Sequence, residues 1–353
     1  MKHNQLKEVC LEITNACPMN CAHCSSVGQS NLEEEMRLDE IKGVIAEIAD
    51  LGGEVIEISG GEPTIHSGLV EIVRCAKDFG LETRLYTSGF YFPKQIVNSL
   101  ISLDLDKIIF SVQGASRSTH EYITRTEHSF RNVIRSIKMV AKDLWVVVHF
   151  VPMKPNFNEL KKVIGLCSHL GVKEVGILRF VPQGRGAINR SWLKLSRIEF
   201  RQFVKDLVRE FHQSNCLTIR IGNPMNFCSL MDDSIPVQKC HAGLSSCLIK
   251  PNGEVAPCPA FKQKSKYIAG NLEDDSLAEI WKFSPTWNQF RLFDPEKLKG
   301  PCKSCEHLLL CRGRCHAQRI WAFRGDIYQG PDPHCSFYES RLMPSIKRAY
   351  KQT

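Results

Sequence analysis

Between residues 8 and 180, six short apolar runs alternate with segments whose apolar residues recur at helical spacing, and this alternation limits the chain to very few folds. The runs span residues 9–13, 55–58, 83–86, 108–112, 145–151 and 174–180. Leu38, Ile41, Ile45 and Ile48 form one helical stripe between them. Leu69, Val73, Ala76 and Phe79 form a second, and Leu160, Val163, Ile164 and Cys167 a third. Repeated strand-then-helix units with short links read as a parallel sheet with right-handed crossovers, so the expected fold class is α/β. A helix over 198–213 and a short strand near 217–221 follow. After Pro224 the character changes: nine of the sixteen cysteines lie from Cys228 to Cys335, among scattered Pro and Gly. The expected division is an α/β domain over 1–222 and a smaller Cys-rich domain over 223–353.

The cysteines gather in two places. Cys17, Cys21 and Cys24 form a CxxxCxxC triplet directly after the first apolar run. A 4Fe–4S cluster takes four thiolates, so a triplet leaves one iron free for another ligand. Zinc sites usually pair ligands as CxxC with two further partners, and the triplet has no fourth ligand nearby in sequence. The C-terminal set is Cys240, Cys247 and Cys258, then Cys302, Cys305, Cys311 and Cys315 spaced CX2CX5CX3C, then Cys335. Asn252-Gly253 suits a tight hairpin turn that would bring Cys247 and Cys258 together. Two structural zinc sites are the alternative use of these eight residues.

Composition narrows the function classes. The 353 residues are 43% hydrophobic and 24% charged, which fits a globular enzyme. Met1-Lys-His-Asn-Gln-Leu lacks an apolar signal core, and no apolar run is long enough for a membrane helix, so a cytoplasmic location without a membrane is expected. A disulfide scaffold does not suit a reducing compartment, which leaves cluster or metal binding to explain the cysteines. The formal charge of +8 looks basic. Three cubanes on eleven thiolates would remove about five charges, and no dense Lys/Arg run with interleaved aromatics exists, so nucleic acid is not an expected partner.

The triplet resembles the cluster motif of the radical SAM superfamily, and Gly60-Gly61-Glu62-Pro63 resembles that family's GGEP segment. The resemblance implies a partial (β/α)6 TIM-like barrel with its chemistry at the C-terminal strand ends. Gly60 and Gly61 would let the backbone pass close to S-adenosylmethionine (SAM), and Glu62 would meet its amino group. Ser88, Ser111 and Gln113 would serve SAM from strand ends, Arg125 would pair with the methionine carboxylate, and His23 would pack on the adenine. Arg179 and Arg185, after the sixth strand, could bind a substrate carboxylate or the cofactor's. The C-terminal cysteines resemble a SPASM domain, which implies two auxiliary 4Fe–4S clusters. Cys240, Cys247, Cys258 and Cys315 would hold one, and Cys302, Cys305, Cys311 and Cys335 the other.

By resemblance, the chain is expected to cleave SAM reductively to a 5′-deoxyadenosyl radical and to take hydrogen from a substrate. The expected substrate is a ribosomally made peptide undergoing crosslinking, epimerisation or a related change. A small molecule, such as a tetrapyrrole, is the runner-up. A non-catalytic iron–sulfur electron carrier or zinc protein is the alternative of another class. The implied partners are the substrate and a reductant such as flavodoxin or ferredoxin. Cys228, in a polar stretch between the two domains, is a candidate hydrogen donor. Only about seven residues precede the first strand, so an N-terminal peptide-binding domain is not expected.

Overall fold

The computed structural model describes residues 4–26, 35–214, 217–222, 225, 228–229, 232–236, 239–323 and 326–335. Seven parallel strands follow one another in sequence order: β1 (Glu8–Glu12), β2 (Val55–Ser59), β3 (Glu82–Thr87), β4 (Lys107–Ser111), β5 (Val146–Phe150), β6 (Glu174–Ile177) and β7 (Thr218–Ile221). Helices α1 (Leu38–Asp50), α2 (Leu69–Asp78), α3 (Lys94–Ser102), α4 (Arg117–Thr124), α5 (Ser129–Val140) and α6 (Leu160–His169) connect the first six. Short helices α7 (Arg185–Ile188) and α8 (Arg190–Leu193) then lead into α9 (Arg197–Gln213). α9 opens on a capping box, in which Ser196 and Glu199 satisfy each other's backbone amides.

The strands have two different faces. Val9, Leu11, Ile56, Ile58, Phe110 and Val148 point outward into one continuous apolar core under the helices. The inward face is polar. Tyr86 donates to Glu57 at 2.5 Å, Arg84 reaches Glu57 at 3.5 Å, and Arg220 donates to His149 Nε2 at 2.8 Å. An arginine cannot accept a hydrogen bond, so His149 keeps Nε2 unprotonated. Burial, then Arg220, lowers its pKa to about 3. Gly176 makes this contact possible, since a Cβ there would lie 2.7 Å from the His149 ring.

The Cys-rich segment does not stand apart from this sheet. β8 (Ser246–Ile249) pairs in parallel with β1, on the edge opposite β2. β9 (Glu254–Ala256) and β10 (Gly270–Asn271) extend it antiparallel, giving the order β10-β9-β8-β1-β2-β3-β4-β5-β6-β7. Helices α10 (Leu277–Phe283), α11 (Asn288–Arg291), α12 (Leu308–Cys311) and α13 (His316–Ala322) complete the segment. Two buried ion pairs fasten it to the barrel rim. Lys262 meets Glu12 at 2.5 Å and also bonds Ser26, and Arg179 grips Asp332 with two bonds of 2.8 and 2.9 Å. Among the described residues no helix is long and apolar enough to cross a membrane.

Candidate active site

Cys17, Cys21 and Cys24 lie on the loop that leaves the C-terminal end of β1. Bonds from several elements fix this loop. The Ala22 amide donates to the Ile123 carbonyl at 2.9 Å, Arg185 Nε to the Cys21 carbonyl at 2.9 Å, Asn189 to the Ala22 carbonyl at 3.0 Å, and the Gly186 amide to the Cys24 carbonyl at 3.3 Å. Cys21 feels the charge of both other thiols, and Cys17 that of Cys24. Burial is the first cause that pushes Cys17 up to about 12 and Cys21 higher still, and the nearby Arg185 offsets part of it. Partly buried thiols crowded in this way ionise more readily when a cation shares the site.

Gly60 and Gly61, just past β2, run against the start of the triplet loop. Gly60 has φ +138°, and a Cβ there would sit 2.4 Å from the Thr14 carbonyl oxygen. A Cβ on Gly61 would sit 2.2 Å from that of Ala16. Only a pair of glycines allows two backbones this close. Glu62 is fully buried. The Thr64 amide donates to its carboxylate at 3.2 Å, the Thr87 hydroxyl at 2.6 Å, and the Ser88 amide at 2.8 Å; the Ser88 hydroxyl bonds it too. Glu62 and Ser88 thus meet each other, and the carboxylate orders the ends of β2 and β3.

The other expected SAM contacts are arranged around the same rim. Ser111 is exposed at the end of β4. Gln113 is buried beneath it and receives the Val151 amide at 3.4 Å. His23 lies inside the triplet loop with Nδ1 buried and without a partner among the described residues, an acceptor or donor position that a ligand can fill. Arg125 ends α4 with φ +50°, donates to Asn189 at 3.0 Å, and lies over the Trp192 ring. Arg185 is the guanidinium bonded to the triplet backbone itself. Its place at the foot of α7 follows from the Gly-rich turn after β6. Asn189 and Thr64 had no sequence signal, since nothing local marks a side chain that braces a distant loop.

The C-terminal thiols form two groups. Cys302 is pushed up to about 12, first by burial and then by Cys311, Cys335 and Cys305. Cys258 is raised by burial and then by Cys240 and Cys315, and these three pack on one small apolar cluster. Cys247 does not join them. The β8–β9 register pairs Leu248 with Ala256, and both lie with Cys10 on the inner face. Side chains alternate along a strand, so Cys247 points to the other face. It lies in the main core, where burial alone pushes its thiol up to about 12. The hairpin at Asn252-Gly253 forms, but Cys247 and Cys258 pack in different apolar clusters. Arg319 is fully buried near Cys302, Cys311 and Cys315; its guanidinium bonds carbonyls of Gly313 and Ile327 and the His316 ring, and Nε has no partner among the described residues.

A family model described as the radical SAM superfamily matches residues 11–167, and one described as an iron-sulfur cluster-binding domain, SPASM, matches residues 240–306. This chain is a radical SAM/SPASM enzyme. It is 26% identical to the AdoMet-dependent heme synthase of Methanosarcina barkeri, over 95% of this chain and 97% of the relative. It is 28% identical to the mycofactocin maturase MftC of Mycolicibacterium smegmatis, over 93% and 82%, and 28% identical to the PqqA peptide cyclase of Bradyrhizobium diazoefficiens, over 98% and 88%. In fold it resembles Streptococcus suis SuiB bound to S-adenosylmethionine, with a TM-score of 0.76 at 16% identity, covering 94% of this chain and 78% of that one.

The cofactors of this radical SAM/SPASM enzyme are SAM and 4Fe–4S clusters, auxiliary ones included. Its residues fit them. The triplet thiols crowd in a buried loop beside a glycine cradle and the unpartnered His23 nitrogen. A buried guanidinium with no bonded carboxylate among the described residues, Arg319, lies near thiols of both groups, whose clusters would be anionic. Cys228, the expected hydrogen donor, is fully buried in the main core, with its thiol pushed up to about 12 by burial. Cys10 and Cys167 are buried as small apolar residues, and Cys216 lies outside the described residues.

Proposed function

We propose that this enzyme takes a hydrogen atom from an unactivated carbon of a ribosomally made peptide, as the opening step of a crosslink, an epimerisation or a related change. With its cluster and SAM bound, the site supplies a 5′-deoxyadenosyl radical for that step. The chain's own residues bind, orient and exclude water. Cys17, Cys21 and Cys24 would each hold one iron and leave the fourth for SAM. The Gly60-Gly61 backbone gives the ligand room, Glu62 holds Thr87 and Ser88 in place around it, and Ser111 faces the same rim. Arg185 and Arg125 are the two guanidiniums that can fork onto the methionine carboxylate.

Cys302, Cys305, Cys311 and Cys335 would hold one auxiliary cluster. Cys240, Cys258 and Cys315 would hold the other, without Cys247. Cys247→Ala is therefore expected to leave the iron content unchanged, whereas Cys258→Ala loses about four irons. Iron analysis of anaerobically reconstituted protein checks this, and equal iron loss in both variants would contradict the assignment. A small reductant such as flavodoxin or ferredoxin would deliver the electron.

The observation that carries the peptide reading is the near full-length match to two kinds of enzyme whose names give a peptide cyclase and a maturase. A tetrapyrrole is the second reading, because the heme synthase matches this chain over 97% of its own length. The deciding experiment gives the reduced enzyme SAM with short peptides encoded beside its gene, and separately a propionate-bearing tetrapyrrole, and follows both by mass spectrometry. A SAM-dependent mass change in a peptide is expected. Decarboxylation of the tetrapyrrole with every peptide unchanged would overturn the reading.

A further inference from the structure

The rim beside β5 and β6 carries more positive charge than the described residues balance. Two adjoining spaces open there. An inner cavity of about 130 Å3 lies between the barrel and α13, with Arg179, Phe180, Phe200 and Trp321 among its walls. An outer groove of about 650 Å3 shares Arg190, Lys194 and His334 with it and adds Lys154, Arg197 and Glu199. The nearby carboxylates are already engaged. Asp332 holds Arg179, and Glu199 accepts the Ser196 amide at 2.7 Å.

Arg190 and Lys194 make no ion pair among the described residues. They are four apart, and the Lys194 amide bonds the Arg190 carbonyl at 2.9 Å, so the two cations share one side of the turn. Arg190 and Lys194 are both exposed. The packing around its ammonium, then Arg190, Arg197 and Arg179, lower its pKa, against a smaller pull from Asp332. Like charges held together this way cost stability until an anion balances them.

The position suits a substrate. Phe180 forms a wall of the inner cavity, and a Cβ on Gly186 would lie 3.1 Å from that ring and 3.1 Å from the His23 carbonyl. One aromatic side chain therefore separates the cavity from the triplet loop. The inner volume is close to the ~150 Å3 of an engineered cavity that admits benzene, which is the size of a side chain and not of a macrocycle.

We propose that this cleft binds an acidic stretch of the substrate peptide, with one Asp or Glu side chain in the inner cavity against Arg190 and Lys194 and the adjoining chain along the outer groove. The proposal rests on the peptide reading above. The chain's own residues 336–353 do not complement the cleft, since they carry Arg341, Lys347, Arg348 and Lys351 against Glu339 alone.

The test is fluorescence anisotropy with the iron-reconstituted full chain and a labelled hexapeptide of alternating Glu and Ala, against its Gln counterpart. At low salt the Glu peptide is expected to bind at least tenfold more tightly, and the gap should shrink as salt is added. The double variant Arg190→Gln/Lys194→Gln should erase the preference with its iron content intact, and Arg190→Lys/Lys194→Arg should keep it. Equal binding of the two peptides, or a preference that survives the Gln variant, would overturn the proposal. So would oligothymidylate binding as tightly as the Glu peptide, because the cleft would then be a general polyanion surface. Mesoporphyrin binding that depends on Lys194, with no binding of either peptide, would uphold a carboxylate site and overturn the peptide reading instead.

Discussion

Changing Cys17, Cys21 and Cys24 together to alanine is expected to abolish 5′-deoxyadenosine formation while keeping most of the iron. Three cubanes give about twelve irons, and the variant should retain about eight. The expectation follows from where the thiols lie. The triplet loop is braced through the Ala22 amide and the Cys21 and Cys24 carbonyls, none of which uses a thiol. Both C-terminal thiol groups have their own settings, in which Cys258 and Cys302 are raised by burial and by neighbouring thiols of their own group rather than by the triplet. The loop should therefore stay folded while the SAM-cleaving centre is lost. Anaerobic chromatography of the nucleoside product and iron analysis read the two quantities separately. Residual 5′-deoxyadenosine would remove the triplet from the SAM-cleaving centre, and loss of nearly all iron would show that the auxiliary sites depend on the first cluster.

The second large effect is expected from Asp332→Ala. Arg179 and Asp332 are both about 1% exposed at the side chain and joined by two bonds, and His334 accepts from the same guanidinium at 2.8 Å. Removing one partner leaves a buried charge uncompensated, a loss of about 3–5 kcal/mol. Asp332 also lies three residues before Cys335, so the variant should lose iron from one auxiliary cluster as well. The double variant Arg179→Met/Asp332→Leu should be less destabilised than Asp332→Ala, since no charge remains to strand. The pH sign is definite. Burial opposes ionisation of Asp332, but Arg179 outweighs it and holds the carboxyl at about 2 in the folded chain, below the ordinary 3.8. Its contribution is complete above about pH 4 and fades only as the pH falls toward 2. Urea unfolding should therefore show the same gap between wild type and Asp332→Asn at pH 6 and pH 8. A gap that changes over that range would implicate another titrating group.

The strand–helix alternation was legible because each strand is short, apolar and bounded by a helix whose stripe repeats at 3.6 residues. Val55–Ser59 and Lys107–Ser111 differ from the expected runs by a residue. β6 stops at Ile177, before the expected 180, because Arg179 and Phe180 turn away to meet Asp332 and line the rim cavity. The cysteine groups were legible from spacing. Which face each thiol takes was not, because spacing along the chain says nothing of register. Cys247 shows this: one position along β8 decides whether it meets Cys258 or Val9's core. Lys262 carried no signal either. Its partner Glu12 lies 250 residues away in sequence, and such a pairing depends on the assembled sheet. Cys228 shows the converse: polar neighbours in sequence surround a side chain that the fold buries.

The seating of β1 between β2 and β8 also sets an order in time. β2 is complete at Ser59, but β8 ends only at Ile249. At ~5–20 residues per second, synthesis needs roughly 10 to 40 seconds to cross that gap. Throughout it, β1 is the open edge of the growing sheet. The β1–β8 ladder and the Lys262 contacts to Glu12 and Ser26 can form only after that interval, so the segment that completes this edge of the sheet is made long after the strands it joins.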